Sequence, residues 1–329
     1  MEMEKINLGV IGLGFIGKVH LRNCLNLKSV RVVAAADTSK KALNYARGFG
    51  VKQLFTDYRE LLKLKDLDAV IISLPNYLHA ESAISAMEEG KHVFLEKPLA
   101  RNPEEGREIV SAAEKSGVKF MVGYPFRFAT EFVDLKNQIE SGVLGDIQLA
   151  YAVDIASGPF FHRAEIHAPI PVPEWWFNKE LTGGGALIDL GCHMINLLRW
   201  YLGEVSDASA RLGYRFNFDF EDHATCLIDF ENGASAVVNV GWFSQKTALG
   251  VELFGTASYA QAYRSSSNKV ITAIKLILGK TPNYFIPYLR EISHFVNHIN
   301  NCDDENILSG EDALKDLEVI AKAYKKQIK

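Results

Sequence analysis

Three glycines near the start of the chain limit the fold more than any other feature. Gly12, Gly14 and Gly17 follow an apolar run at residues 8–11 and open an amphipathic stretch over residues 15–27. In a strand–turn–helix unit, the first glycine allows the tight turn and the second lets a pyrophosphate approach the backbone, while the third lets the helix pack closely on its strand. The spacing therefore predicts the opening unit of a doubly wound parallel sheet.

An acidic residue after the next apolar run indicates which ligand this turn takes. Asp37 follows residues 32–36 and comes twenty residues after Gly17. A carboxylate at that place accepts hydrogen bonds from both hydroxyls of an adenosine ribose and repels a 2′-phosphate. The first residues of the following helix, Phe15 and Ile16, point unpaired N–H groups at the phosphates. The pattern predicts that the chain binds NAD.

Two lysines keep NADP open as a second cofactor. Lys40 and Lys41 lie close enough to Asp37 in sequence to offset a 2′-phosphate. The plainer interpretation is that they are two solvated lysines on a helix. NAD is therefore favoured, and NADP is not excluded.

Length and composition indicate two domains. The chain has 329 residues, 48% of them hydrophobic, which is enough for two cores. A net charge of -4 without a basic stripe argues against nucleic acid as a partner. The best apolar run, residues 270–278, is too short for a membrane span and holds Lys275, and the N-terminus leaves no room for a signal peptide. We expect a cytoplasmic protein that binds neither nucleic acid nor membranes.

Cysteine and histidine spacings predict no metal centre. The cysteines are scattered without a C-x-x-C pair and are expected to be reduced, mostly buried thiols. They are Cys24, Cys192, Cys226 and Cys302. His162, Glu165 and His167 lack a recognised ligand spacing.

Residues 1–122 alternate apolar strands with helices. Nearly continuous apolar strands are typical of a parallel sheet with helices on both faces. Ligands of such sheets bind at the carboxyl ends of the strands. After the opening unit, strands are expected at 53–55, 69–73, 92–95 and 119–122, and helices at 40–48, 57–64, 78–89 and 103–116.

Residues 123–329 have a different pattern, which predicts an α+β domain with a large, mostly antiparallel sheet. An open sheet of this kind needs its exposed face covered, and self-association is one way to cover it. Strands are expected at 147–155, 207–214, 224–230, 234–242 and 251–254, and helices at 131–140, 186–201, 288–300 and 310–326.

A lysine directly follows the strand expected at residues 92–95, in the sequence Glu96, Lys97, Pro98. At the cofactor edge, its ammonium would lie where a substrate hydroxyl or carbonyl meets the nicotinamide. It can position or polarise that oxygen, and partial desolvation suits such an amine to acid–base chemistry. A surface lysine that caps a strand end is the alternative, and position alone does not decide between them.

A second cluster combines glycines with an acid and an imidazole. Gly183, Gly184 and Gly185 allow another backbone or a ligand to approach closely, and Asp189 and His193 then share one helix face at i and i+4. A carboxylate that orients an imidazole and raises its basicity suits a general base. An ordinary solvent-facing pair is the alternative, although the apolar neighbours favour a packed helix.

Two further segments are candidates for ligand contact. After the strand at residues 69–73, a proline turns the chain and leaves Leu74, Asn76 and His79 at the nicotinamide half of a dinucleotide. His79 is equally well explained as a helix residue without a ligand. The proline-rich residues 158–173 precede two tryptophans whose rings can stack on a sugar face. This segment is either a substrate loop or a rigid connection.

The combination of the glycine turn, Glu96-Lys97-Pro98, and the three glycines followed by Asp189 and His193 resembles one family over essentially the whole chain. It is the glucose-fructose oxidoreductase, inositol dehydrogenase and rhizopine-catabolism (Gfo/Idh/MocA) family. The resemblance implies an N-terminal Rossmann domain at 1–122 and a C-terminal open-sheet domain at 123–329 that mediates dimers or tetramers. It also implies NAD- or NADP-linked oxidation of a secondary alcohol on a sugar, inositol or sugar nucleotide.

The resemblance also assigns roles to single residues. Lys97, Asp189 and His193 form the catalytic group of such relatives, and the Lys97–Pro98 bond is expected to be cis. Glu96 lies beside the nicotinamide. Arg127 borders the active site. Trp176 is expected from the stacking of tryptophan rings on a sugar face, not from the resemblance, and with Arg127 and the catalytic group it makes up the expected substrate site.

The chain departs from the family pattern at two places. Many relatives carry an acidic residue three positions after the histidine, where this chain has Asn196. Many also carry arginine after the tryptophan of the segment Trp175, Trp176, Phe177. The missing charges indicate that the substrate or its anchoring differs.

The expected reaction is an oxidation in which His193, oriented by Asp189, accepts the hydroxyl proton while Lys97 holds the same oxygen. Hydride passes to NAD, and the sequence leaves open whether Lys97 or His193 is the final proton acceptor. One alternative is a glycosidase that uses NAD for transient oxidation and elimination. The other is a non-catalytic NAD-binding regulator, against which the retention of all three residues argues.

Overall fold

The computed structural model describes residues 5–159, 172–244, 246–264, 285–300 and 307–328. They fall into two compact units. The first contains residues 1–100, 104–125 and 269–314, and the second contains residues 101–103, 126–268 and 315–329. The expected division at residue 122 placed everything after it in the second domain, whereas the described part of 269–314 groups with the first unit.

The helices agree closely with the expected positions, with two exceptions. The short helix Lys179–Thr182 was not expected from the sequence. The helix expected at residues 186–201 is in fact a π-helical segment, Leu187–Gly191, that continues into an α-helix. The α-helices are α1 (Phe15–Leu25), α2 (Lys40–Gly48), α3 (Tyr58–Leu62), α4 (His79–Glu88), α5 (Pro103–Ser116), α6 (Thr130–Glu140), α7 (Lys179–Thr182), α8 (Cys192–Leu202), α9 (Ile286–Ile299) and α10 (Gly310–Lys325).

The first unit is built on a six-stranded parallel sheet in the order β3-β2-β1-β4-β5-β6. This order reverses direction between β1 and β4, which is the switch point at which doubly wound sheets bind their ligands. The strand interiors are buried on both faces, as their apolar sequences predict. The strands are β1 (Ile6–Ile11), β2 (Val30–Ala36), β3 (Gln53–Phe55), β4 (Ala69–Ile72), β5 (His92–Glu96) and β6 (Phe120–Gly123).

Helix α9 packs on α1 and β5, although it comes late in the chain. Its buried face carries Ile292, Phe295 and Val296. The Phe295 ring lies 5.7 Å from that of Phe94 on β5. Burying this apolar face against α1 and the sheet removes it from water and stabilises α9 there. This burial explains why α9 belongs to the first unit.

The second unit is built on a six-stranded sheet in the order β12-β11-β7-β10-β9-β8. Every neighbouring pair is antiparallel except β7 and β10, which run parallel. The sequence analysis missed β12, a short strand in which exposed tyrosines alternate with buried alanines. The strands are β7 (Ile147–Ile155), β8 (Val205–Gly213), β9 (His223–Phe230), β10 (Ser235–Gly241), β11 (Ala248–Gly255) and β12 (Tyr259–Tyr263).

One face of this second sheet is open and partly apolar. Leu227 is 46% exposed and pairs with Val237, which in turn pairs with Tyr151, so these residues share a face. Leu149 and Phe254, also paired across the sheet, are 45% and 39% exposed. Contiguous exposed apolar surface of this kind marks an interaction site.

A buried polar network joins helix α8 to helix α10. Asp316 is fully buried and accepts hydrogen bonds from Arg199 at 2.6 Å and from the Asn196 amide at 2.6 Å. Arg199 also bonds Glu204, and Asn196 accepts a bond of 2.7 Å from Arg127. Asn196, the first departure from the family pattern, therefore bridges Arg127 and the Asp316 carboxylate, which in turn binds Arg199.

The cysteines in the described residues are buried free thiols, as expected. Burial raises the pKa of the Cys24 thiol to about 12, and of Cys226 likewise. Cys302 lies outside the described residues. Such thiols are poor nucleophiles, because the reactive thiolate is absent at neutral pH.

Within the part of the chain that the structure describes, one helical stretch, Lys179–Leu202, is long and apolar enough to cross a membrane by length and composition alone. Its mean hydropathy is 1.2, and 78% of the window is buried inside the protein. This burial is typical of a core helix, so the stretch is weak support for a membrane span.

Replacing Asp316 by alanine is expected to destabilise the protein by about 3 kcal/mol. The change removes a fully buried carboxylate partner of the buried Arg199 charge and leaves the exposed Glu204 to compensate it. Urea unfolding followed by tryptophan fluorescence measures the loss. The control is Asp207→Ala, which removes an exposed ion pair with Lys326 and should change the midpoint little. Equal losses in the two variants would contradict the prediction.

Candidate functional site

The turn after β1 requires two of its three glycines for the protein's own packing. Gly12 has a φ of +85°, and a Cβ there would lie 2.4 Å from the Ser73 carbonyl oxygen. A Cβ on Gly17 would lie 1.9 Å from the Gly12 carbonyl oxygen. The Gly12 N–H also donates to the carbonyl of Ala36 at the end of β2. The turn is thus wedged between the ends of β2 and β4.

The remaining glycine has room around it. A Cβ on Gly14 would meet no atom of the described residues within 4 Å, and its φ of -64° is ordinary. Gly14 is the N-cap residue of α1, whose first residues, Phe15 and Ile16, are at least partly exposed. A helix N-terminus presents unpaired N–H groups. We call the open space beside Gly14 at the N-terminus of α1 the Gly14 cradle. This cradle fits a pyrophosphate, because a side chain at position 14 would fill the space that the ligand needs.

Asp37 is held in a fixed orientation at the edge of this turn. Its Oδ2 accepts a hydrogen bond of 2.7 Å from the Leu13 N–H, and its Oδ1 accepts one of 2.7 Å from the Ser39 N–H. A carboxylate has about four acceptor positions, so two remain for ribose hydroxyls. Lys40 and Lys41 are exposed at the start of α2. The arrangement matches the residue set expected for NAD.

The segment after β4 lies against the glycine turn, and its histidine is occupied within the protein. Asn76 begins a 3-10 turn, Asn76–Leu78, and a Leu74 methyl lies 3.2 Å from the Cβ position of Gly12. The His79 side chain is buried, with Nδ1 2.8 Å from the Pro98 carbonyl and Nε2 2.9 Å from the Leu74 carbonyl. A direct contact of the His79 ring with a dinucleotide is therefore not favoured.

Burial lowers the pKa of His79, and the two carbonyl hydrogen bonds offset this only in part. The ring fastens the segment after β4 to the segment after β5. Since Pro98 directly follows Lys97, His79 acts on the lysine by positioning its neighbour. The Lys97–Pro98 peptide bond is cis, as the resemblance implied.

The residue before Lys97 is also held. Glu96 ends β5, is 8% exposed, and accepts a hydrogen bond of 2.5 Å from His20 Nε2 on α1. The sequence analysis missed His20. The available signal was its place on α1, three residues after Gly17, where an otherwise apolar helix face carries a polar ring.

In the second unit, Gly185 closely approaches another backbone segment. A Cβ on Gly185 would lie 1.8 Å from the Glu221 carbonyl oxygen. The buried Glu221 carboxylate accepts hydrogen bonds from the N–H groups of Gly185 and Leu187, at 3.0 and 2.9 Å, and from Tyr324 Oη at 2.7 Å. Burial raises the pKa of Glu221, and these bonds oppose the rise. Glu221 thus fixes the start of the helix that carries Asp189 and His193.

Asp189 lies in the π-helical segment and His193 in the first turn of α8. Asp189 Oδ2 accepts a hydrogen bond of 3.3 Å from the Trp242 indole. His193 is 7% exposed, and its ring centroid lies 4.5 Å from that of Phe126. Irregular turns of this kind within helices are frequent at functional sites. Neither residue has the solvent-facing position of an ordinary surface pair.

The two expected substrate residues lie near this pair within the second unit. The Trp176 ring is 6.1 Å from that of Trp242, which is bonded to Asp189. Arg127 follows Phe126, the ring against His193, and its guanidinium lies 5.6 Å from the Trp200 ring centroid. The unit therefore brings Asp189, His193, Arg127 and Trp176 into one neighbourhood. The segment with His162, Glu165 and His167 lies outside the described residues.

Comparison with known proteins decides the family. The model of an oxidoreductase family with an NAD-binding Rossmann fold matches residues 6–124. The model of the GFO/IDH/MocA C-terminal domain matches residues 132–261. The chain belongs to the GFO/IDH/MocA oxidoreductase family. The family, the α/β fold and the NAD cofactor expected from the sequence are thereby confirmed.

Named relatives are similar over most of the chain. A levoglucosan dehydrogenase of Pseudarthrobacter phenanthrenivorans is 34% identical over 70% of this chain and 66% of its own length. A myo-inositol 2-dehydrogenase of Thermotoga maritima is 26% identical over 93% and 92%. The crystal structure of scyllo-inositol dehydrogenase from Lactobacillus casei with NAD(H) and scyllo-inositol superposes with a TM-score of 0.80 at 22% identity, covering 98% of this chain and 96% of that one.

Replacing Gly14 by alanine is expected to weaken NAD binding about tenfold or more without lowering the unfolding temperature of the cofactor-free protein. The added methyl meets only the space left for the pyrophosphate. Isothermal titration and thermal unfolding measure the two effects. The matched control is Gly17→Ala, whose methyl meets the Gly12 carbonyl and should lower the unfolding temperature. Unchanged NAD affinity in the Gly14 variant would argue against the cradle.

Proposed function

We propose that this oxidoreductase uses NAD to oxidise a secondary alcohol of a sugar or polyol to the ketone. The observation that carries the proposal is that both family domains are present and each keeps its expected functional residues. The first unit has the Gly14 cradle, Asp37 and Lys97, and the second has Asp189 and His193. The named levoglucosan and inositol dehydrogenases support this substrate class.

In the proposed reaction, the hydrogen on the carbinol carbon and the hydrogen on the hydroxyl oxygen go to different acceptors. When bound, NAD supplies the acceptor for the hydride from the carbinol carbon. His193 accepts the hydroxyl proton, and Asp189 favours the imidazolium that forms. The ammonium of Lys97 donates a hydrogen bond to the same oxygen and stabilises the negative charge that develops there. A ketone and reduced cofactor are the products.

The surroundings of Asp189 suit a carbohydrate. Trp176 and Trp242 lie close together, and Trp242 holds the Asp189 carboxylate through its indole N–H. An aromatic face packs against the C–H groups of a sugar ring, while charged side chains nearby form hydrogen bonds with the sugar hydroxyls. We propose Trp176 and Arg127 as substrate-binding residues. The expected arginine after the tryptophan pair is replaced by Phe177, which points to a different anchoring of the substrate.

The open face of the second sheet supports self-association. A homodimer or homotetramer would cover Leu227, Val237 and their paired neighbours, and would remove apolar surface from water. We propose that the protein is a cytoplasmic homo-oligomer.

Replacing Lys97 by methionine is expected to lower kcat at least about 100-fold, since the developing charge on the substrate oxygen loses its stabilising ammonium. Absorbance of reduced nicotinamide measures turnover with a panel of inositols, free sugars and nucleotide sugars. NAD affinity, measured by titration, should change little.

The matched control is Lys41→Met, which removes an exposed lysine of α2. Its turnover with NAD should equal that of the wild type. Reduction of NAD by no sugar or polyol, in a protein that binds NAD, would contradict the dehydrogenase proposal. Net hydrolysis of a glycoside without accumulation of reduced cofactor would identify the glycosidase alternative instead.

Replacing Leu227 by glutamate is expected to dissociate the oligomer, because charges on the open face would be buried at the interface. Sedimentation velocity measures the assembly size. The control, Leu25→Glu, makes the same change at a leucine of the first unit that is 40% exposed. A wild-type protein that sediments as a monomer would overturn the assembly proposal.

A further inference from the structure

Three titratable side chains meet in the interior of the first unit. His20 comes from α1, Glu96 from the end of β5, and Glu291 from α9. They are 0%, 8% and 0% exposed. One nitrogen or oxygen atom of each lies within 4.8 Å of the others. Two carboxyl groups and an imidazole thus share one small apolar volume, bordered at His20 by the rings of Phe94 and Tyr288.

The spacing of these groups indicates a proton rather than a metal ion. His20 Nε2 and Glu96 Oε1 are 2.5 Å apart. Two such atoms bound to one zinc ion at about 2.1 Å in a tetrahedral site would stand roughly 3.4 Å apart. A separation of 2.5 Å is that of a direct hydrogen bond. A proton, and not a metal ion, therefore lies between His20 and Glu96.

Glu291 differs from Glu96 in its partners. Among the described residues, neither of its carboxyl oxygens has a hydrogen-bond partner. An ionised carboxylate without a partner in an apolar interior costs far more free energy than a neutral carboxylic acid. Burial, and then the charge of Glu96, raise the pKa of Glu291 well above its usual value. Of the side chains that the structure describes, the titratable ones nearby are Glu96 on β5, His20 on α1 and, one turn to either side on α9, Tyr288 and His294.

We propose that His20, Glu96 and Glu291 form a buried proton site in which Glu291 keeps its proton, so that Glu96 is the only ionised carboxylate of the cluster. The proposal rests on the proposed function in one respect, since Glu96 is the residue expected beside the nicotinamide. The oxidised nicotinamide is positively charged and the reduced ring is neutral. A single carboxylate favours the oxidised form moderately, and a second would add to that preference. The proton on Glu291 thus limits how strongly the site favours NAD over its reduced form.

The first test is spectroscopic and needs neither cofactor nor substrate. The infrared difference spectrum between the wild type and Glu291→Gln at pH 7 should show the carbonyl band of one protonated carboxylic acid in the wild type. Glu291→Met provides a second variant, which keeps a side chain of similar length without a charge. The control, Glu108→Gln, removes an exposed carboxylate of α5 and should leave no such band. Absence of the band from both Glu291 difference spectra overturns the proposal.

The second test uses the pH dependence of stability. Above about pH 4.3 the unfolded chain releases the Glu291 proton, whereas the folded protein retains it up to its raised pKa. Wild-type stability should therefore fall relative to Glu291→Gln as pH rises, by about tenfold in the folding equilibrium constant for each pH unit in this window. A difference that is independent of pH contradicts the proposal.

The third test separates the proposal from a metal site and from the proposed function. Stoichiometric metal in the purified wild type that is lost in Glu291→Gln would overturn it. A lack of sugar oxidation, by contrast, would leave the infrared band and the stability slope in place, and would count only against the dehydrogenase activity. If both proposals hold, Glu96→Gln should shift the ratio of NAD to NADH affinity toward NADH.

Discussion

The cofactor half of this protein depends on one close approach of two backbones. The turn after β1 passes so near the end of β4 that a single carbon on Gly12 would overlap the Ser73 carbonyl, and the start of α1 passes equally near Gly12. Because this contact sets the entry of α1, it also sets where the helix N-terminus points. Asp37 is then bonded to the same turn through the Leu13 N–H. The phosphate and ribose sites are consequently placed by one steric constraint.

The second unit solves a similar problem with a carboxylate. Glu221 replaces the missing intrahelical partners of the N–H groups at the start of the helix, and Gly185 lets its backbone come close enough to do so. Asp189 is bonded to Trp242, and α8 is fastened further along to Asp316. The helix is therefore restrained at its start by Glu221, at Asp189 by Trp242, and along α8 by Asp316. Two of these carboxyl groups, those of Glu221 and Asp316, are buried.

The fold and the motif residues were largely readable from the sequence, because they follow from local rules. Apolar strands, glycine spacing and Asp37 each act through neighbours within one βαβ unit. Contacts between distant segments were not readable. The place of α9 depends on which apolar surface Phe295 packs against. The alternation of exposed and buried residues in β12 is too short to indicate a strand. The hydrogen bonds of His79 depend on carbonyl groups that belong to two other segments. His20 and Glu291 were missed for the same reason, since a pair or triad separated by up to 271 positions leaves no pattern in the linear chain.

Lys97 stands between two residues that are each tied to a buried histidine. Glu96 is bonded to His20 and Pro98 to His79, and the two rings come from helices on different parts of the sheet. The lysine's backbone thus has little freedom of its own, while none of these bonds involves a loop of the second unit. Substrate preference can therefore diverge through changes elsewhere while these bonds still restrain the backbone at Lys97, which suits a scaffold whose relatives are named for several different sugars and polyols.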